Sequence, residues 1–498
     1  MSSPTPPFSL TRAIVNPANL KCTTLPIFAI NNVYSRAFHL SWLGFFVAFL
    51  SWFAFSPLIP ESIKTDLKLT SQEIGNSNVM SLCATLLVRL VVGPLVDRYG
   101  PRKVMATLLV LGAIPSGLAG TVTTVNGLYI IRFFIGILGG TFVTCQAWTT
   151  AFFDKSVVGR ANALAGGWGN AGGGVTFIVM IALYNTLIAD GLSKHVAWRA
   201  AFAIVPVPIL LGTAALVMIF GQDHPAGRWA DRFKTPGVVG RGSEELDEGD
   251  EKELDGEKGV KGGDVQVQVS EATEFAPDLP PTSTLDIAVN KPVTWEVAAQ
   301  VIRNPLTWLP SLAYLTTFGY ELAIDANLAN VLYALYKNKT FGQTKAGYIA
   351  SIFGLLNIVT RPLGGYFGDF IYRYRGVPGK KYLTITCGLL QGLMSIGLGL
   401  YMDSHPHPDL TVIIVFIVFM AIFNEVGNGA NFALVPHCNP NSNGLMSGIV
   451  GACGNVGGIL FAMIFRFQPT PAGKAFWISG AMALAVNMVI VVIPVPAL

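Results

Sequence analysis

Residues 89–98 read Arg89-Leu90-Val91-Val92-Gly93-Pro94-Leu95-Val96-Asp97-Arg98, and residues 361–369 read Arg361-Pro362-Leu363-Gly364-Gly365-Tyr366-Phe367-Gly368-Asp369. Each sets an arginine eight residues ahead of an aspartate. Further along, each is followed by a glycine-rich stretch with one asparagine in the same register, Gly169-Asn170-Ala171-Gly172-Gly173 and Gly454-Asn455-Val456-Gly457-Gly458. Two independent correspondences in the same order leave coincidence a poor explanation, so the chain reads as two related halves.

The surrounding runs say what is repeated. The chain has 498 residues, 52% hydrophobic and 12% charged, with a mean hydropathy of +0.52, whereas soluble chains carry roughly 25% charged residues. A water-soluble globule is excluded. Apolar stretches of bilayer length, about 20 residues, fall at 39–59, 76–96, 104–122, 126–150, 161–187, 198–220, 305–336, 345–369, 381–402, 410–436, 443–465 and 475–496. The spacing predicts an all-α polytopic membrane protein of 12 transmembrane helices in two pseudo-symmetric six-helix bundles. An N-terminal segment 1–38 precedes the first bundle, 39–221, and a linker 222–304 separates it from the second, 305–498.

Orientation follows from the short loops. Arg98, Arg102 and Lys103 follow the second span, Lys155 and Arg160 the fourth, and Arg373, Arg375, Lys380 and Lys381 the eighth. By the positive-inside rule these even-numbered connections are cytoplasmic, as are both termini, and the nearly balanced loop 61–73 is external. The linker holds 17 of the 29 acidic residues and 9 of the 33 basic ones, including the run Glu244-Glu245-Leu246-Asp247-Glu248-Gly249-Asp250-Glu251. Such a composition cannot bury enough apolar surface to fold, so a disordered cytoplasmic linker is expected. It serves either as a solvated hinge or, through Ser243 or Ser270, as the target of a regulatory kinase. Cys22, Cys83, Cys145, Cys387, Cys438 and Cys453 are too scattered to imply a metal site or a disulfide framework. The N-terminus lacks a signal-peptide pattern, so the first span is expected to direct insertion. The charge surplus does not point to nucleic acid, and Asn338-Lys339-Thr340 is a glycosylation sequon on the external side.

The repeated polar residues fall at one depth. Asp97 and Asp369 close the cytoplasmic ends of their helices, which puts Arg89 and Arg361 roughly 12 Å inward at 1.5 Å per residue, near the middle of a core about 30 Å thick. Asn170 and Asn455 come out at roughly 14 Å on the same count. A guanidinium at the bilayer centre faces a cavity or a partner, because its insertion costs about 3 kcal/mol or more. Two of them converging on one plane require an anion. Separate internal salt bridges to Glu321, Asp325 or Glu425 are the simpler alternative.

The motifs carry a resemblance. Gly93-Pro94-Leu95-Val96-Asp97-Arg98-Tyr99-Gly100-Pro101-Arg102-Lys103 resembles the cytoplasmic loop signature of the major facilitator superfamily, and Arg132-Phe133-Phe134-Ile135-Gly136 resembles its fourth-helix motif. The stretches from Ala165 to Gly174 and from Gly448 to Gly458 resemble the paired nitrate signatures of the nitrate/nitrite porter family, in the branch of eukaryotic high-affinity transporters with a long central cytoplasmic loop. The resemblance covers nearly the whole chain. It implies the major facilitator fold and uptake of nitrate at the plasma membrane, with nitrite as a second substrate and protons as the coupling ion. It further implies Arg89 and Arg361 as the clamping arginines and Asn170 and Asn455 as residues beside the site.

Physical chemistry agrees with those roles. Nitrate is planar with three equivalent oxygens, and guanidinium is a planar fork that never loses its charge, where lysine would supply charge alone. Glycine runs serve close helix packing, and the same packing leaves a cavity sized for a small ion and permits sliding during alternating access. Phe49 and Tyr320 fall at depths suited to an aromatic wall, and Trp168 is as much a packing residue as a wall. Inward movement of an anion opposes a negative-inside potential by about 2.3 kcal/mol per charge per 100 mV, so protons must accompany it. Glu321, Asp325 and Glu425 are the candidate carriers, with Arg132 tuning a nearby carboxylate. Asp97 and Asp369 order the cytoplasmic gate, and His437 lies at a loop edge, away from the coupling path. No cofactor is expected, and the chain holds no nucleophile-base constellation or metal spacing that would make it an enzyme. The rival readings are a nitrate/nitrite exchanger and a nitrate receptor without net transport.

Overall fold

The computed structural model describes residues 9–234, 273–275, 294–439 and 443–495. Six helical spans precede the acidic linker: α1 (Val33–Asp66), α2 (Ser71–Tyr99), α3 (Pro101–Thr121), α4 (Val125–Phe152), α5 (Val158–Ala189) and α6 (Lys194–Phe220). The seventh, α7, is the broken pair Pro305–Thr316 and Phe318–Tyr336. Gln343–Ser404 bends at Gly376 (φ 61°, ψ −155°) into α8 before the bend and α9 after it. The chain closes with α10 (Leu410–His437), α11 (Asn443–Phe467) and α12 (Lys474–Ile490). Ser243, Ser270 and the acidic run lie outside the described residues. A short helix, Trp295–Arg303, lies within the stretch read as linker, and Thr273–Phe275 pairs in parallel with Ala13–Val15.

Local chemistry sets the ends. Thr70 and Glu73 form a reciprocal capping box that starts α2, and Asn32 caps α1 through the Tyr34 amide. Gly100 (φ 89°) and Gly376 turn the chain three and seven residues after Asp97 and Asp369, in a conformation that a Cβ disfavours. The break in α7 is stitched from outside: Gln391 donates to the carbonyl of Thr316, and Asn424 to that of Thr317. Backbone groups freed inside a membrane require partners of this kind.

Each glycine helix is sandwiched between its own half and the other. In α5, a Cβ on Gly172 would stand 2.2 Å from the Phe46 carbonyl of α1, and one on Gly174 2.6 Å from the Leu355 amide of α8. In α11, a Cβ on Gly457 would stand 2.0 Å from the Leu315 carbonyl of α7, and one on Gly448 2.9 Å from the Arg89 carbonyl of α2. Thus α5 brings its asparagine to the second half's arginine helix, and α11 does the reciprocal.

Candidate anion site between the halves

Arg89 and Arg361 are both fully buried. Arg89 donates Nε to the Gly139 carbonyl of α4 at 2.9 Å and Nη1 to the Gly451 carbonyl of α11 at 2.9 Å. Its Nη2 has no partner among the described residues. Arg361 donates Nη2 to the Tyr314 hydroxyl at 3.0 Å, while its Nε and Nη1 have none. Neither arginine forms an ion pair among the described residues, so the alternative of separate salt bridges to Glu321, Asp325 and Glu425 is not what the structure contains. Three buried guanidinium nitrogens are left without an acceptor among the described residues.

Both guanidinium groups lie against one ring. The Cζ of Arg89 is 4.9 Å and that of Arg361 5.8 Å from the Phe142 centroid, and Arg89 is also 4.9 Å from Phe318. Phe142 stacks on Tyr314 and Phe318 and meets Phe432 edge-on. This box of α4, α7 and α10 aromatics was missed by sequence reading. Tyr314 and Phe318 are four residues apart and share one face of α7, which is the signal that points to them. Phe49 reaches the box through Phe318, with centroids 6.4 Å apart. Tyr320 does not reach it: its hydroxyl bonds Ser395 at 2.7 Å and Met420 sulfur at 3.1 Å, and its ring meets Phe461. Two residues on from Phe318 turns it about 200° round the helix. Trp168 packs with Phe38 and Trp42.

The asparagines take different partners. Asn170 donates to Glu321 Oε1 at 2.7 Å, joined there by Asn357 at 2.7 Å, while Asn428 donates to Oε2 at 2.8 Å. Asn455 donates to the Gly451 carbonyl, the same oxygen that Arg89 Nη1 uses. Glu425 meets the Thr360 hydroxyl, and Asp325 stands one turn beyond Glu321 on α7. Arg132 has no carboxylate partner among the described residues. It donates to Ser77 Oγ and Asn78 Oδ1 and lies over Phe55, so the expected tuning of a carboxylate is corrected to a bridge between α4 and α2.

The two aspartates lock the face that carries the basic loops. Asp97 of α2 accepts from the Gly444 and Leu445 amides at the start of α11, at 3.2 and 3.0 Å. Asp369 of α8 accepts from the Arg160 amide at the start of α5 at 2.9 Å, and from Lys380 Nζ at 3.1 Å. A carboxylate at a helix N-terminus meets both free N–H groups and the positive end of the dipole. Each cap crosses between halves, and a Cβ on Gly159 or Gly444 would collide with it, at 2.2 and 2.4 Å. His437 sits in this basic-face cluster, 3.1 Å from Lys380 Nζ. On the opposite face, Gln343 of α8 accepts from the Glu61 and Ser62 amides of α1 at 2.8 and 3.1 Å. The arginines are therefore closed off from both sides.

Comparison with known proteins places this arrangement. The model of the Major Facilitator Superfamily matches residues 41–342 and 322–497. The high affinity nitrate transporter 2.5 of Arabidopsis thaliana is 32% identical over 96% of this chain and 83% of its own length. Nitrate transporter 2.2 of Chlamydomonas reinhardtii is 30% identical over 94% and 77%. Among solved structures, the xylose transporter XylE from E. coli in a partially occluded inward open conformation aligns with a TM-score of 0.62 at 15% identity, covering 93% of this chain and 98% of its own, which speaks to the fold. With its paired arginine helices, paired glycine helices and crossed aspartate caps, the chain belongs to the Major Facilitator Superfamily and, within it, to the nitrate/nitrite porter family.

Proposed function

We propose that this chain takes up nitrate by proton-coupled symport, with the anion clamped between Arg89 and Arg361 and nitrite as a second substrate. One observation carries the reading: two fully buried arginines, one from each half, share the Phe142 ring, and among the described residues no carboxylate pairs with either and three guanidinium nitrogens are unpartnered. A flat oxyanion in that gap would accept those donors in plane, and the aromatic box suits an ion that sheds its water readily. The names of the relatives support nitrate as that anion.

The cycle alternates between the two closed faces. Opening the basic face requires Asp97 and Asp369 to leave the starts of α11 and α5, and opening the other requires Gln343 to leave Glu61 and Ser62. Both end contacts join opposite halves, so rocking of one bundle against the other breaks one set as it forms the other. Protons offset the charge of the anion against the membrane potential, and the buried acids Glu321, Asp325 and Glu425 are the candidates from which the carrier is drawn. The basic face is read as cytoplasmic, with both termini on it, in the plasma membrane.

The test is uptake of labelled nitrate by the full chain in proteoliposomes with an inward proton gradient. Accumulation above equilibrium, lost in Arg89→Lys and in Arg361→Lys at unchanged protein incorporation, is expected. Normal uptake in either variant contradicts the clamp. Strict one-for-one exchange without net accumulation indicates the exchanger, and binding without flux the receptor.

A further inference from the structure

The carboxyl groups near the arginines are not held alike. Glu321 receives three amide N–H donors, two on Oε1 and one on Oε2, which is the environment of an ionised carboxylate. Glu425 receives none. Its Oε1 has no partner among the described residues, and its Oε2 meets Thr360 Oγ1. That hydroxyl also stands 2.8 Å from the Leu356 carbonyl. A carbonyl can only accept and a hydroxyl has one proton to give, so Thr360 cannot donate in both contacts. Glu425 therefore has at most one hydroxyl donor, and shares it with Leu356, against the three amide donors on Glu321. A fully buried carboxylate with one oxygen unpartnered and only a shared hydroxyl on the other is an arrangement that a low-dielectric interior disfavours.

We propose that Glu425 carries a proton with the anion, as the acid while the pocket is filled and as the carboxylate once it empties, while Glu321 stays ionised as the fixed counter-charge of Arg361. This rests on the reading of the pocket as a nitrate site. The step breaks and forms one O–H bond: Glu425 gives its proton to water on the basic face and takes another from the opposite side. Each proton lost cancels one positive charge that holds the anion, so proton and anion leave together.

The contacts provide the coupling. Thr360 immediately precedes Arg361, and Gly429, one turn along α10 from Glu425, lies so close to the Arg361 carbonyl that a Cβ would stand 2.0 Å from it. Movement of Glu425 therefore reaches Arg361 through one hydroxyl and one backbone contact. The charged groups facing Glu425 are Glu321 and Asp325 from α7 and Arg361 from α8, while α9 brings Cys387 against Gly427. Asp325, Glu321 and Glu425 are all buried.

Glu425→Gln keeps the shape and a hydrogen-bonding partner for Thr360 while removing the titration. The full chain in proteoliposomes is assayed for nitrate accumulation driven by a proton gradient, and for counterflow of labelled against unlabelled nitrate at equal pH on both sides. In Glu425→Gln, accumulation is expected to fall at least about tenfold, while the exchange partial reaction persists and loses its pH dependence. Glu321→Gln is expected to lose both. Gradient-driven accumulation by Glu425→Gln with the wild-type pH dependence overturns the assignment. So does joint loss of accumulation and counterflow in well-folded Glu425→Gln, which would make the residue structural. Absence of nitrate counterflow in the wild-type chain removes the nitrate reading itself, and the assignment with it.

Discussion

The two halves hold their arginines differently. Arg89 is fixed by two backbone carbonyls, one from each half, and has one free nitrogen. Arg361 is held by a single phenol, has two free nitrogens, and shares its half with Glu321, Asp325 and Glu425. In the first half, Arg132 is a further buried arginine, held by Ser77 and Asn78. The repeat thus reproduces positions without reproducing partners. Common depth comes from the shared fold, while the partners hold the first arginine at two backbone carbonyls and the second at one phenol.

Substitutions at the arginines break this contrast most severely. Truncating one member of a buried charged contact costs about 2–5 kcal/mol, or roughly thirty- to several-thousand-fold in affinity. Arg361→Lys is expected to weaken nitrate binding more than Arg89→Lys, since it removes two free in-plane donors against one; equal losses by calorimetry would erase the distinction. Next come the crossed caps. Asp369→Ala leaves the buried Lys380 without its carboxylate and is expected to destabilise the chain by about 3 kcal/mol, whereas Asp97→Ala loses an end cap worth about 1 kcal/mol. Thermal unfolding in detergent checks the order, and hydrogen exchange should rise at Arg160 in the first variant and at Gly444 and Leu445 in the second.

Smaller effects sharpen the comparison. Asn170→Leu removes a donor to a charged group, about 1.5–3 kcal/mol, and Asn455→Leu a donor to a shared carbonyl, about 1 kcal/mol. Proton-driven uptake should fall further in the first; a reversed order would place the proton chemistry in the other half. Last, Tyr320→Phe should leave nitrate affinity unchanged, because its hydroxyl bonds Ser395 and Met420, whereas Tyr314→Phe frees a third nitrogen of Arg361 and should alter it. A change in affinity with Tyr320→Phe would return that residue to the site.

Much of the fold was legible because long apolar runs have few alternatives. The ends were less so. The span read at 39–59 begins at Val33, since Ser35, Arg36 and His39 lower the hydropathy of a turn that Asn32 nevertheless caps. The span read at 475–496 stops being helical at Ile490, although its apolar run continues towards Pro494. The span read at 305–336 is broken at Thr317, where Gln391 and Asn424, distant in sequence, donate to the Thr316 and Thr317 carbonyls. The site shows the same limit. Residue type and depth single out Arg89, Arg361, Asn170 and Asn455, and the repeat confirms their register. Partners were not readable: that Asn170 meets Glu321, that Arg132 meets an amide, and that Phe142 forms the shared wall all depend on how helices from different halves face each other.

The most direct measurement is a cryo-electron microscopy structure of the full chain at saturating nitrate. Density for a flat four-atom anion against Phe142, within hydrogen-bond distance of both Arg89 and Arg361, is the expected result. An anion bound elsewhere, or the two guanidinium groups paired to carboxylates with nothing between them, would contradict it.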